Sequence, residues 1–262
     1  MRLAANLTLL YGHLPLEEQF AAAARDGFRL VEILAPYNQP AHWFAEQLSR
    51  HNLHLVLLNT PALLPDFPRG LAGQPGQQAA FQEALKQAVD VCRATQCPAV
   101  HVMAGDLSPT HALEEQQRTL YENMTWAAQY APELTLHLEA LNTSDVAHYL
   151  YSQASQVIQH LEAIKQSNVG MQFDFYHVAK EAQNIAEQIT LCAPWIRHVQ
   201  VAGAPDRHEP ELQKYGVLEG FKKLAAIGYQ GVVGLEYRPH APSTTADLSW
   251  LQPLLDQGLV RF

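Results

Sequence analysis

Val169-Gly170-Met171-Gln172-Phe173 is a short β-rich run, and the residue that follows it is a carboxylate, Asp174. A strand buried on both faces would finish in apolar residues and break into turn chemistry, so an acid at its end is out of place unless it has work there. The same arrangement recurs along the chain. Strands are expected at Leu3–Thr8, Leu30–Leu34, Leu53–Leu58, Ala99–Met103 and Leu134–Leu138, then at Val169–Phe173, Ile196–Val201 and Val232–Leu235. Residues with helical spacing alternate with them, at Leu16–Arg25, Ala41–His51, Phe81–Ala94, Leu113–Tyr130, Ser152–Lys165, Ala182–Cys192, Val217–Ala226 and Thr245–Leu255. Alternating β and α units imply a parallel sheet with right-handed crossovers. Eight such pairs predict one α/β domain over residues 1–262, a closed (β/α)8 barrel (TIM barrel) rather than an open sheet.

No G-x-G-x-x-G or G-x-x-x-x-G-K-[ST] follows any strand, so the nucleotide cradles of open sheets are missing and no organic cofactor is expected. The Pro- and Gly-rich stretch Thr60–Gln77 reads as a long loop over an active site, because the strand–helix rhythm resumes unchanged after it. We expect it to close over the site.

The 262 residues match the ~250 typical of such a barrel. With 48% hydrophobic and 16% charged residues, the chain carries enough apolar side chains for a large core. A net charge of -9 argues against nucleic acid or an anionic membrane as partner. No stretch reaches the ~18 apolar residues of a membrane span, and the N-terminus has no apolar secretion signal. Asn6-Leu7-Thr8 and Asn123-Met124-Thr125 are therefore chance glycosylation patterns, and a cytoplasmic enzyme is expected. Cys92, Cys97 and Cys192 form no C-x-x-C pair and read as plain thiols in a reducing compartment. A homo-oligomer is compatible with all of this.

Asn6, Glu32, Asn59, His101, Glu139, Asp174, Gln200 and Glu236 stand at or just past the strand ends. In a barrel all of them fall at the C-terminal rim, where active sites of this fold lie. A lone Glu32 or His101 in such a place is ordinarily a satisfied structural residue. Four oxygen-bearing side chains ending the last four strands are different, because three carboxylates at one rim repel one another unless a cation joins them. Glu139, Asp174, Gln200 and Glu236 are all hard oxygen donors. That favours one divalent ion, Mg²⁺ or Mn²⁺, with Zn²⁺, Co²⁺ or Ni²⁺ as substitutes. The alternative pairs these carboxylates with Arg197, Arg207 or Arg238. His177, three residues past Asp174, can reach a substrate oxygen or become a ligand. Arg207 can hold a carboxylate bidentately or simply sit in a solvated loop.

Several segments resemble hydroxypyruvate isomerase and its relatives among the xylose-isomerase-like barrels. They are Ala4-Ala5-Asn6-Leu7, Val31-Glu32 with Pro36-Tyr37, Leu58-Asn59-Thr60-Pro61 and His101-Val102-Met103-Ala104-Gly105. Leu138-Glu139-Ala140-Leu141-Asn142, Gln172-Phe173-Asp174-Phe175-Tyr176-His177 and His198-Val199-Gln200-Val201-Ala202 continue the likeness. Arg207-His208-Glu209-Pro210 and Leu235-Glu236-Tyr237-Arg238-Pro239 complete it. The resemblance implies metal ligands at Glu139, Asp174, Gln200 and Glu236, with Glu139 and Glu236 also moving protons. It implies substrate contacts at His177 and Arg207, and we add His101 and Asn59. Departures from the family pattern stand at Ala140, Gly203, Arg238 and the segment after Pro210.

The expected reaction moves a proton between neighbouring carbons of a small oxo-acid sugar through an ene-diolate. It would take hydroxypyruvate to tartronate semialdehyde or isomerise 2-dehydrotetronate. A ketose 3-epimerase could use the same two Glu. A repair endonuclease of the same barrel would need a His-rich metal cluster and basic loops. A sugar-acid binding protein without catalysis would use the same ligands.

Overall fold

Leu30-Val31-Glu32-Ile33 is buried at every position, and so is Val169–Asp174, as parallel strands covered on both faces require. In the computed structural model, which describes residues 1–241, 243 and 246–262, eight such strands close into a barrel in sequence order, each parallel to its neighbours. The elements run β1 (Arg2–Asn6), α1 (Leu7–Leu10), α2 (Leu16–Arg25), β2 (Leu30–Ile33), α3 (Ala41–His51) and β3 (His54–Asn59). Then come α4 (Gln78–Thr95), β4 (Ala99–His101), α5 (Leu113–Tyr130), β5 (Thr135–Leu138), α6 (Ala154–Ile164) and β6 (Val169–Asp174). The chain ends with α7 (Phe175–Lys180), α8 (Ile185–Cys192), β7 (Ile196–Val201), α9 (Val217–Ala226), β8 (Val232–Leu235) and α10 (Gln252–Asp256). The barrel closes where Ala5 of β1 meets Leu235 of β8.

The expected architecture is therefore the observed one, with differences at element ends. The first strand stops at Asn6, not Thr8, because the Asn6 side chain accepts the Leu9 N–H and caps the short helix α1. Asp174 does the same for α7, accepting the Tyr176 N–H at 2.8 Å, so His177 lies in a helix and not in a loop. The last helix, expected from Thr245, begins with a 3₁₀ turn at Ser249–Leu251 that leads into α10; Thr245 itself lies outside the described residues.

Two irregularities interrupt the register, at Val31/Glu32 between β2 and β3 and at Met171/Gln172 between β6 and β7. Bulges re-aim side chains next to functional sites. Glu32 and Gln172 both lie buried in the barrel interior.

The long loop between β3 and α4 is fastened down in its second half. Ala72 and Gly73 donate to the Met103 and Ala104 carbonyls, Asn123 donates to Ala72, and Leu71 and Ala72 are buried. Gly70, at φ +105°, bridges to Ala104 with no room for a side chain: a Cβ would sit 2.2 Å from the Met103 oxygen. Residues 70–74 therefore form a fixed wall beside the mouth, and Arg69 is anchored next to them by its ion pair with Asp106 at 2.7 Å.

Candidate active site

Every ligand expected at the rim is drawn inward. Glu139 and Asp174 are 4% and 3% exposed, Gln200 is fully buried and Glu236 is 4% exposed. Glu139 follows β5, Asp174 ends β6, Gln200 lies in β7 opposite Asp174, and Glu236 follows β8. The four therefore occupy consecutive strands around one side of the mouth.

Glu139 accepts from Gln172 Nε2 at 2.9 Å and faces His101 Nδ1 at 3.4 Å, while its other oxygen, Oε1, is buried with no hydrogen-bond partner among the described residues. Burial, then the charges of Asp174 and Glu236, push its carboxyl well above the usual carboxylate range. Glu236 is pushed up to about 7 by burial, against the opposing pull of Arg207. Burial also raises Asp174, with Arg207 and the Tyr176 amide pulling the other way. Burial thus raises all three carboxyls, and neighbouring carboxylate charge adds to the rise in Glu139 and Glu236.

Arg207 lies over this cluster. Its Nη2 donates to Glu236 Oε2 and approaches Asp174 Oδ2 at 3.5 Å, and its guanidinium rests 4.9 Å from the centre of the Tyr176 ring. The loops after β7 and β8 hold it there. Arg238 N–H donates to the Arg207 carbonyl, His208 Nδ1–H donates to the Arg238 carbonyl, and Glu209 accepts the His240 N–H. Gly203 makes this turn possible: a Cβ there would come within 2.4 Å of the Glu209 oxygen. Arg207 is thus no solvated loop residue. The departure from the family pattern at Gly203 thus stands where the Glu209 backbone leaves no room for a side chain.

His177 brings a ring nitrogen, Nε2, within 3.7 Å of Asp174 Oδ2. One atom each from Glu139, Asp174 and His177 lies within 4.8 Å of the other two. The Asn142 backbone N–H donates to His177 Nδ1 at 3.0 Å. A backbone amide can only donate, so Nδ1 is the lone pair and Nε2 carries the hydrogen. His177 is therefore built as a donor to an oxygen rather than a ligand. Among the described residues His101 Nε2 and Asn59 Oδ1 are buried without hydrogen-bond partners, and burial lowers His101 to about 3, keeping it neutral. The structure brings all eight expected residues to one end of the barrel.

Glu32, named among the strand-end residues but read as structural, and three residues absent from that reading, His137, Gln172 and His198, complete the buried cluster. Glu32, fully buried, accepts from Gln200 Nε2 at 2.8 Å and Asn6 Nδ2 at 3.1 Å, and pairs with His198 Nε2 at 2.5 Å. Gln172 donates to Glu139 and, at 2.6 Å, to Gln200 Oε1. His137 stacks on His198 with ring centres 5.9 Å apart. A signal for them exists in the sequence. Strand side chains alternate with period two, so the residues two before Glu139, Asp174, Gln200 and Glu236 also face the barrel interior. Those residues are His137, Gln172, His198 and Gly234. The three cysteines are free and buried, and burial pushes Cys192 up to about 12, in line with plain thiols.

Residues 20–254 match the profile of the xylose isomerase-like TIM barrel family. The chain belongs to that family. Among its relatives, the 2-oxo-tetronate isomerase of Haemophilus influenzae is 34% identical over 256 residues, covering 96% of this chain and 98% of that protein. The putative hydroxypyruvate isomerase of Mus musculus is 35% identical over 271 residues, covering 98% and 96%. A Brucella melitensis crystal structure described as AP endonuclease, family 2, superposes with a TM-score of 0.87 at 32% identity, covering 97% of this chain and 98% of that one. D-psicose 3-epimerase of Clostridium cellulolyticum superposes at 0.75 but is 16% identical, a likeness of fold alone.

Proposed function

We propose that this member of the family is an isomerase of small 2-oxo-3-hydroxy acids, taking a proton from C3 and returning one to C2. Hydroxypyruvate and 2-oxo-tetronate share that unit, and relatives named for each are similar to this chain over nearly its whole length. The observation that carries the reading is the pair Glu139 and Glu236, buried at one mouth with raised carboxyl pKa values. A proton carrier works best with a pKa near the working pH, and Glu236 at about 7 meets that demand.

One Glu takes the C3 proton as carboxylate and the other, protonated, delivers one to C2. His177 Nε2–H and the Arg207 guanidinium donate to substrate oxygens, while the wall of β-strand residues around them keeps out water. The donor set fits a divalent cation. Glu139 Oε1 is buried with no partner, the three carboxylates repel, and Gln200 adds a neutral oxygen. Glu139, Asp174, Gln200 and Glu236 would hold it, with Mg²⁺ or Mn²⁺ suiting these oxygen donors. When bound, the ion supplies charge stabilisation for the oxygens of the ene-diolate. An ordinary ion pair with Arg207 accounts for Glu236 and Asp174 but leaves Glu139 Oε1 unsatisfied.

The net charge of -9 and the neutral Gln200 count against a DNA-repair role. The test is to incubate the protein and Mn²⁺ with hydroxypyruvate, 2-oxo-tetronate and ketoses, and to identify products. Conversion of the oxo acids is expected; conversion of ketoses alone would replace this reading with epimerisation.

A further inference from the structure

Gln200 is the weak point of the proposed ligand set, because its amide has two unlike ends. The oxygen attracts a cation and the NH₂ repels one, and a half-turn of the amide exchanges them at little cost in shape. Something must fix which end faces the other ligands.

The barrel interior below the rim supplies that constraint. Glu32 Oε2 lies 2.8 Å from Gln200 Nε2, and Gln172 Nε2 lies 2.6 Å from Gln200 Oε1. The neighbours have settled orientations of their own. Glu139, an acceptor, takes a bond from the same Gln172 Nε2. Asn6 Oδ1 accepts the Leu9 backbone N–H, which turns Asn6 Nδ2 toward Glu32 and, at 3.4 Å, toward Glu236 Oε1. Reversing Gln200 would set its oxygen against the Glu32 oxygen and its NH₂ against the Gln172 NH₂, two repulsive contacts in a dry core. Glu32 reaches this place only because β8 carries a glycine there: a Cβ on Gly234 would lie 1.9 Å from Glu32 Oε1.

We propose that Glu32, which is not itself a ligand, is the positioning residue that turns the Gln200 oxygen toward the cation and, through Asn6, steadies Glu236. The proposal rests on the cation reading given above. Partners of this kind behind a metal ligand typically carry about 10–100-fold in metal affinity. A carboxylate that merely fills the core would change stability without changing affinity in the folded protein.

The experiment is Mn²⁺ titration by calorimetry and electron paramagnetic resonance on folded wild type, Glu32→Gln and the double variant Glu32→Gln/Gln200→Glu. The wild type is expected to bind one Mn²⁺, and Glu32→Gln to bind it about 10–100-fold more weakly. In the double variant the carboxylate at position 200 has two identical oxygens and needs no orientation. It can also accept from the amide introduced at position 32, so affinity should return to near the wild-type value. Equal affinity in wild type and Glu32→Gln overturns the positioning role and leaves the cation reading standing. No Mn²⁺ binding by the wild type overturns both. Should Glu32→Gln not fold, Glu32→Asp keeps the charge but shortens the reach to Gln200. Weakened binding there supports the proposal, and unchanged binding overturns it.

Discussion

Glu139 and Glu236 carry the proposed chemistry, and each can be emptied of its proton without changing its shape. Glu139→Gln and Glu236→Gln should each lower kcat by about 10²–10⁴, the contribution usual for a positioned acid or base. Circular dichroism should remain that of wild type. Unaltered turnover in either variant would remove that residue from proton transfer. Gly234 makes a subtler case, since it touches nothing that reacts. Gly234→Ala should cost about 1–3 kcal/mol of stability by forcing Glu32 aside, measured by denaturant unfolding. At this scale the sequence revealed the rim residues, because a polar side chain ending an apolar run is conspicuous. It did not reveal Glu32 as their support. Asn6 faces it from the neighbouring β1, but His198 and Gln200 come from β7, and only closure of the barrel brings those two to Glu32.

Strands and crossover helices were legible for the reason that parallel strands are apolar throughout and amphipathic helices repeat every three to four residues. The short helices α1 and α7 were not, since four and six residues leave no periodicity to read. Their caps, Asn6 and Asp174, stood out as strand ends, and both are in fact shared between a strand and the helix it feeds. The turn between β7 and α9 was legible only in part. Arg207 stood out, yet its placement depends on Gly203 and on bonds to the β8 loop. Gly203→Ala should displace that turn and with it Arg207. A fall of about tenfold or more in kcat/KM, on the order of 1.4 kcal/mol, is expected from steady-state kinetics. Wild-type kinetics would show that the turn does not set Arg207.

For the whole molecule, a cation that binds only the folded barrel must stabilise it. At about 100 times its Kd, Mn²⁺ should add about 2.7 kcal/mol, a rise of about 5 °C in Tm for a chain of this size. Calorimetry with and without chelator reads this directly. The affinity should also depend on pH. Glu236 sits at about 7 without the ion and must lose its proton to become a ligand. Binding should therefore weaken by about tenfold for each unit below pH 7, more if the raised Glu139 proton is released as well, and level off above it. A flat profile between about pH 5.5 and 7.5 would place Glu236 outside the ligand set.

Movement of a proton between C3 and C2 of a small oxo acid is the activity on which all of this turns. Its most direct measurement is proton NMR of hydroxypyruvate in D₂O with the Mg²⁺-loaded protein. Loss of the C3 proton signal is expected, with deuterium appearing at C2 of the product. Wild type should show this, while Glu139→Gln and Glu236→Gln should slow it by about a hundredfold or more. Exchange at the buffer rate, with 2-oxo-tetronate equally inert, would contradict it.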